Sequence, residues 1–211
     1  MKLNPRAWLV ALCAGLWLFT AAASAQTARP LAETLKGQAK IDYEAGRILF
    51  NDGDNAGALV KFQRAYDESN DVRLLWNVAV CEKNLRHYAN VLRLLTRYRH
   101  EGAHVISAEQ AGQVEEILQT VKLLISTVHL HVSEDGAHVF VDNNPAGTTP
   151  LEQPLLVDLG TRKIRIEKTG YQPHEVTQDF TGNSEVSIHV DMQREVNEGR
   201  LSITSEPNST I

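Results

Sequence analysis

Two stretches of this sequence repeat each other at a distance of 33 residues. Small or apolar residues at four positions of the first stretch recur at matching positions of the second. Gly46, Ala58, Phe62 and Ala65 are followed by Ala79, Val91, Leu95 and Tyr98. A period of about 33 to 34 residues with two apolar helical stripes per unit predicts helix-turn-helix repeats that bury their faces against one another. Such a fold favours a binding scaffold over an enzyme.

The turn Asp52-Gly53-Asp54 separates the two stripes of the first unit, and the small residues Gly46 and Ala58 fall where two helices would cross closely. Together with Leu59, Phe62 and Ala65, these residues resemble a tetratricopeptide repeat. The segments Trp76-Asn77-Val78-Ala79 and Tyr88-Ala89-Asn90-Val91-Leu92 resemble the same pattern in a second, divergent unit. The alternative is an ordinary helical bundle in which the spacing arises by chance.

A third helical pattern follows the two units. Ser107 and Gln110 have the spacing of a capping box, in which each side chain satisfies a backbone N–H at the start of a helix. The helix would carry one apolar stripe, formed by Val114, Ile117, Leu118, Val121 and Leu124. We therefore predict a helical domain at residues 26–125, with this last helix covering the open flank of the repeats. Cys81 falls on a buried helix face, where it would pack as a small hydrophobic residue.

The first 25 residues have the pattern of a secretory signal peptide. Lys2 and Arg6 precede an apolar run, which ends at the small-residue motif Ala23-Ser24-Ala25. Cleavage there would remove two of the 21 Lys and Arg residues and none of the 26 Asp and Glu residues. The mature chain would be acidic, exported across the inner membrane and without a transmembrane segment. Its charge disfavours nucleic acid as a partner, because nucleic-acid binding relies on clustered cations.

From residue 126 the apolar period changes from about 3.6 to 2, which indicates short strands. Alternating valines and isoleucines are separated by turn sequences such as Asp135-Gly136 and Thr169-Gly170. We therefore predict a small antiparallel β-sandwich at residues 126–198. The fold class is α+β with two domains, the helical repeats first and the sandwich second.

Several turn and strand segments in this second region resemble a PEGA domain, a small β-sandwich of prokaryotic envelope and surface proteins. They are Ser133-Glu134-Asp135-Gly136-Ala137, Val139-Phe140-Val141-Asp142, Gly147-Thr148-Thr149-Pro150-Leu151, Leu159-Gly160 and Lys168-Thr169-Gly170-Tyr171. Residues 199–211 resemble the first strand of a second, truncated unit, because Ser205-Glu206 repeats Ser133-Glu134. The alternative is that Leu201 to Ile211 pairs with an edge of the existing sheets. In such a sandwich, Gly170 would allow a tight turn, and Tyr171 would cover one end.

The candidate binding residues come from the tetratricopeptide resemblance, which implies a concave groove lined by the first helix of each unit. The positions that match this groove are Lys40, Tyr43, Arg47, Asn77, Val80 and Asn84. Arg47 could bind a carboxylate through two parallel hydrogen bonds, and Asn77 could bind a peptide amide. Alternatively, Asn77 simply ties adjacent helices together.

We find no spacing that predicts catalysis, a cofactor or a metal site. His129, His131, His138 and His189 could converge on a metal only if neighbouring strands brought them together, and a solvated strand face explains them more simply. The sequence predicts a non-catalytic periplasmic or outer-envelope scaffold. Its helical repeats would bind a protein or peptide of the cell envelope, and its PEGA-like modules would display or anchor it. The alternative is a module that binds peptidoglycan or a surface polysaccharide through the β-sandwich.

Overall fold

The computed structural model describes residues 29–195. The signal peptide predicted at residues 1–25 and the extra strand predicted at residues 199–211 lie outside this range. The described chain folds into helices followed by two β-sheets, which is the α+β arrangement predicted from the sequence.

Six helices form the first part of the described chain. Their bounds are α1 Leu31–Thr34, α2 Gly37–Asn51, α3 Asn55–Ser69, α4 Leu74–Asn84, α5 Tyr88–Glu101 and α6 Ala108–Lys122. From α2 to α6 each helix packs on the next in the chain. None of the helices in residues 29–195 is both long enough and apolar enough to cross a bilayer.

Local side-chain chemistry sets several helix ends. The Asp54 carboxylate accepts a hydrogen bond from the Gly57 N–H at 2.8 Å and so caps the start of α3. The predicted capping box is confirmed at α6: the Ser107 hydroxyl accepts from the Gln110 N–H, and the Gln110 side chain accepts from the Ser107 N–H. These contacts satisfy donors that have no partner inside the helix.

The eight positions related by the 33-residue spacing are all buried. Gly46 shows why the first of them must be small. A Cβ atom at this position would lie 2.8 Å from the ring of Phe62 on α3, closer than packed carbon atoms allow. The sequence therefore predicted the close crossing of α2 and α3. Cys81 is also fully buried, and burial raises the pKa of its thiol to about 11.

The stripe of α6 lies against the rest of the helical core, as predicted. Val114, Leu118 and Val121 are buried in the same apolar cluster as Val91, Leu95 and Tyr98 of α5. This packing covers the last face of the helical stack, so α6 links the helical core to the β region that follows.

A buried ion pair joins α2 to α3. Asp42 is 2% exposed, and its carboxylate accepts hydrogen bonds from Lys61 Nζ at 2.7 Å and from Gln38 Nε2 at 3.0 Å. The hydrogen bond from Lys61, then that from Gln38, holds the pKa of Asp42 below its ordinary value of 3.8 against the opposing effect of burial. The ionised carboxylate is therefore the form that the folded helices favour.

Seven strands form two sheets in the β region. The strands are β1 Ile125–Val132, β2 His138–Val141, β3 Asn144–Thr148, β4 Leu155–Asp158, β5 Gly160–Glu167, β6 His174–Phe180 and β7 Ser184–Val190. One sheet has the order β4-β1-β7 and the other has the order β3-β2-β5-β6. Both contribute to one apolar core, formed mainly by Val128, Val139, Leu155, Val157, Ile164, Ile166, Phe180, Ile188 and Val190.

The expectation that all strands pair antiparallel is wrong for one pair. β1 and β7 run parallel, with Ser126 opposite Ser184 and Val132 opposite Val190. The cause is the turn after β6, which carries the chain from one sheet to the other beside the start of β1. There the Asn183 N–H donates to the Ile125 carbonyl at 2.8 Å, so both strands start from the same end.

The helical and β regions meet without a linker, because α6 ends at Lys122 and β1 begins at Ile125. The carbonyl of Leu124 accepts a hydrogen bond from the Leu159 N–H at 3.3 Å. Gly182 lies so close to this segment that a Cβ atom there would overlap the Leu123 carbonyl oxygen. The end of α6 is therefore held by two separate turns of the β region.

We expect Gly46→Ala to destabilise the protein, although alanine normally stabilises a helix interior relative to glycine by about 0.5–1 kcal/mol. The new methyl group would press on the buried Phe62 ring, and overpacking of this kind costs about 1–3 kcal/mol. Gly112→Ala in α6 is the matched control, because a Cβ atom there meets nothing within 4 Å. Urea unfolding should show opposite signs for the two substitutions. Equal stabilisation by both would contradict the close crossing.

We also expect Asp42→Asn to change how stability depends on pH. Because the folded-state pKa of Asp42 is lowered, its contribution is complete above the ordinary aspartate pKa and is lost as pH falls through the lowered value. Between about pH 5 and 2, the free energy of unfolding should fall less steeply in Asp42→Asn than in the natural protein. Asp67→Asn, at an exposed position of α3, controls for the lost charge. Identical slopes for Asp42→Asn and the natural protein would show that the pair makes no contribution.

Candidate functional site

The three candidate residues of α2 lie on one face of the helix. Lys40 and Arg47 are exposed, whereas Tyr43 is half-buried between them. The Arg47 guanidinium lies over the Tyr43 ring at 5.8 Å from its centroid, and the same ring packs in a tilted arrangement against the Phe62 ring, with 6.0 Å between the centroids. Tyr43 is thus a fixed aromatic surface with a cation on it.

The candidate residues of α4 are more deeply set than those of α2. Asn77 and Val80 are half-buried, and Asn84 is exposed at the last position of the helix. The Asn84 side-chain amide donates to the Asn55 side-chain oxygen at 2.8 Å, which ties α4 to the start of α3. Asn84 therefore has a structural partner that the sequence did not predict.

Tyr43 packs against both apolar clusters of the helical region. The candidate residues Asn77, Val80 and Asn84 belong to neither cluster. Sequence reasoning missed Glu44, which forms an ion pair with Arg47 at 3.1 Å. Because both side chains of this pair are about half exposed, the interaction is weak and a ligand carboxylate can compete for Arg47.

A second concave feature lies between the helices and the β region. It is an open cleft of about 1160 Å³. The helical side carries Glu82, His87, Asn90 and Arg93, and the β side is formed largely by residues 144–156. The sequence did not predict this cleft, because it is assembled from segments far apart in the chain.

Glu82 organises the helical side of the cleft. Glu82 is only 8% exposed. Its Oε2 lies 2.6 Å from His87 Nδ1, and its Oε1 accepts a hydrogen bond from Asn90 Nδ2 at 2.9 Å. The contact turns the His87 ring back towards α4. His87 stands at the N-cap position of α5 and makes no side-chain cap bond there.

Asp158 of β4 supplies the missing cap. Its carboxylate accepts a hydrogen bond from the Ala89 N–H, in the first turn of α5, at 2.7 Å. A negative charge is favourable at this end of a helix because the unpaired N–H groups carry partial positive charge. One strand of the β region therefore completes a helix of the helical region. The absence of Ser, Thr, Asp or Asn before α5 is the signal that could have indicated an external cap.

The end of the β region is held by a polar cluster around Glu134. Its carboxylate accepts hydrogen bonds from Tyr171 Oη at 2.7 Å and from Lys168 Nζ at 2.9 Å. The Lys168 hydrogen bond, followed by that of Tyr171, lowers the pKa of Glu134. Gly170 has φ +82°, as expected for a tight turn, and its carbonyl accepts from the Glu195 N–H at 2.9 Å. Two of the segments that resemble a PEGA domain, residues 133–137 and 168–171, thus meet in space.

The family model of the PEGA domain matches residues 125–195. These residues form a PEGA domain. Such a domain indicates a module of the periplasm or the cell surface. Comparison with the curated proteins finds no match. The Glu134 cluster and the Asp158 cap both belong to the PEGA domain, and the cap lies at its contact with the helices.

Two of the four histidines considered as metal ligands meet on the surface of the PEGA domain. His131 of β1 and His189 of β7 stack with ring centroids 4.8 Å apart, whereas His138 lies in the other sheet. Within residues 29–195, no three or more His, Cys, Asp or Glu side chains gather in a way that could hold a metal ion.

We expect Asp158→Ala to loosen the contact between α5 and the PEGA domain. Loss of a helix cap costs about 1 kcal/mol, so hydrogen exchange at the Ala89 amide should become faster while the core of the PEGA domain stays protected. Asp179→Ala, at an exposed position of β6, is the control for losing one aspartate. Unchanged exchange at Ala89 would rule out the cap in solution.

Proposed function

We propose that this protein is an exported, non-catalytic adaptor that binds an extended protein segment through its helices. In this proposal α2 to α5 form two divergent tetratricopeptide-like units, and α6 closes the stack. The PEGA domain is a β-sandwich that displays or anchors the helices at the cell envelope.

The observation that carries the proposal is the arrangement of Lys40, Tyr43 and Arg47. Two exposed cations flank a half-buried aromatic ring of α2 that packs against Phe62 of α3. Such a surface suits an extended peptide with a carboxylate, because the cations give charge-assisted hydrogen bonds and the ring beneath Arg47 holds its guanidinium in place. Asn77 and Val80 would provide the facing wall, and Asn84 its end.

The PEGA domain supports the proposed location. A domain typical of the periplasm or surface agrees with the signal peptide expected at residues 1–25. The direct passage from α6 to β1 would then hold the helical groove at a fixed orientation to the envelope. A partner held in that groove would share this orientation.

The geometry of the PEGA domain gives less support to binding of peptidoglycan or polysaccharide. Sugar binding commonly uses an exposed aromatic face, and Phe140 is the aromatic residue that the strand pattern places outward. The Arg165 guanidinium lies over the Phe140 ring at 4.3 Å from its centroid and covers that face. We therefore favour peptide binding by the helices.

We expect Arg47→Glu to weaken binding of carboxylate-bearing peptides by about tenfold or more, because charged hydrogen bonds contribute about 1.5–3 kcal/mol. Peptides selected from a library with free C-termini would be titrated against the full chain by fluorescence anisotropy. Arg99→Glu is the matched control, because Arg99 is an equally exposed cation in an exposed ion pair, with Glu115. Equal affinities for the natural protein and Arg47→Glu would exclude this groove. Retention on purified peptidoglycan that survives Arg47→Glu would favour the alternative function.

A further inference from the structure

The four edge strands of the PEGA domain are not equally protected. β4 is contacted by α5, and its own Asp158 caps that helix. β3 contains Pro145 and pairs with β2 through an irregular register, and both features discourage further pairing. β7 lies at the edge of the β4-β1-β7 sheet opposite the α5 contact. It contains no proline and pairs with β1 in a regular register.

The outer edge of β7 presents a regular row of backbone groups. The Val190 carbonyl accepts from the Ser133 N–H, which shows that even-numbered residues of β7 bond to β1. By the alternation of a strand, the N–H and C=O groups of Glu185, Ser187 and His189 point away from β1. Within residues 29–195 these outward groups meet no further strand.

The side chains of β7 form a self-complementary series about Ser187. Glu185 and His189 lie two positions to either side of it on the exposed face. Val186 and Ile188 lie one position to either side on the face towards the core. An antiparallel partner with the same sequence would therefore place acid against imidazole and aliphatic against aliphatic.

We propose that the β7 edge binds β7 of a second copy of this chain, giving a two-fold symmetric dimer with one continuous sheet. Ser187 pairs with its own equivalent, and Glu185 of each copy lies opposite His189 of the other. The three pairs with outward backbone groups give roughly six hydrogen bonds across the dimer axis. The pairing also extends the apolar core from Val186 to Ile188 of the second copy.

The stacked imidazoles of His131 and His189 supply N–H donors that a carboxylate of a second copy can accept from. They stand side by side on the exposed face, and neither forms an ion pair with a carboxylate of residues 29–195. Glu185 likewise makes no salt bridge within the described chain. In the dimer, Glu185 of each copy reaches the imidazole pair of the other. Opposite charges directly across an antiparallel pair are favourable, whereas like charges are not.

β6, an edge strand of the other sheet, has a charge pattern that disfavours self-pairing. The same antiparallel pairing centred on Thr177 would place Glu175 of one copy opposite Asp179 of the other. Two carboxylates would then face each other twice per dimer, which disfavours the contact. Self-association is therefore expected at β7 and not at β6.

Sedimentation velocity of the full mature chain over a concentration series tests the proposal. A contact between two edge strands is small, so the dimer is expected to be weak and to form only as concentration rises into the high micromolar range. Glu185→Lys should weaken the association about tenfold, because the two carboxylates that accept from the imidazoles across the dimer axis are lost. The double variant with Glu185→Lys and His189→Glu should restore it, since the charges are exchanged and the pairing is kept. Glu116→Lys, at an exposed position of α6, is the matched control for the reversed charge and should leave association unchanged.

Ser187→Pro provides a second, independent variant. It removes an N–H at the centre of the proposed ladder that points away from β1, and edge strands accept proline at such positions. Dimerisation should be lost while far-ultraviolet circular dichroism and thermal unfolding show a folded monomer. In the natural protein, the Ser187 amide should be protected from hydrogen exchange only in concentrated samples.

Three outcomes would overturn the proposal. One is a monomer at every concentration. Another is a dimer that Glu185→Lys and Ser187→Pro leave unchanged, which would place the contact elsewhere. The third is a Ser187 amide protected equally at high dilution, which would mean that the chain covers its own β7 edge.

Discussion

The two residues between α6 and β1 are the constraint around which both halves of the structure are arranged. The chain just past a helix has carbonyl groups that need partners, and here the Leu124 carbonyl accepts from the Leu159 N–H, just past the end of β4. Gly182 allows the β6–β7 turn to approach the same segment from the other side. Because the chain passes directly from helix to strand, these contacts determine where the sheets lie relative to α5. The Asp158 cap and the cleft both follow from that placement.

The helical core depends on residue size more than on polarity. Gly46 permits the approach of Phe62, and the fully buried Ala58 and Ala65 keep neighbouring helices close. The buried pair of Asp42 and Lys61 then adds a polar requirement at the same crossing. A shift of α3 along α2 would break this pair, and an uncompensated buried charge is costly. The pair therefore fixes one alignment of the two helices among those that apolar packing alone would accept.

The sequence predicted those features that depend on residues near one another in the chain. The capping box at Ser107, the turn at Gly170 and the alternating strand residues all have local causes. It could not predict the parallel pairing of β1 with β7, because nothing near Ser184 shows that the preceding turn changes sheets. It also missed the Asp158 cap and the contact between Asn84 and Asn55, which join distant segments. For the proposed groove, spacing placed Lys40, Tyr43 and Arg47 on one face, but it did not show the ion pair between Arg47 and Glu44.

The parallel pairing of β1 and β7 has a mechanical consequence. The helical region pulls on β1 at its first residue, whereas the chain leaves β7 at its last residue and is held by the contacts of residues 193–195 with Gly170 and Gln172. A tension between the helices and whatever the chain is attached to beyond residue 195 would draw the two strands past each other along their length. Their seven paired positions would then resist together instead of opening one after another. A force in this direction loads the pairing of β1 and β7 in shear. The lifetime of the domain under force is then set by the simultaneous loss of all the hydrogen bonds between these two strands.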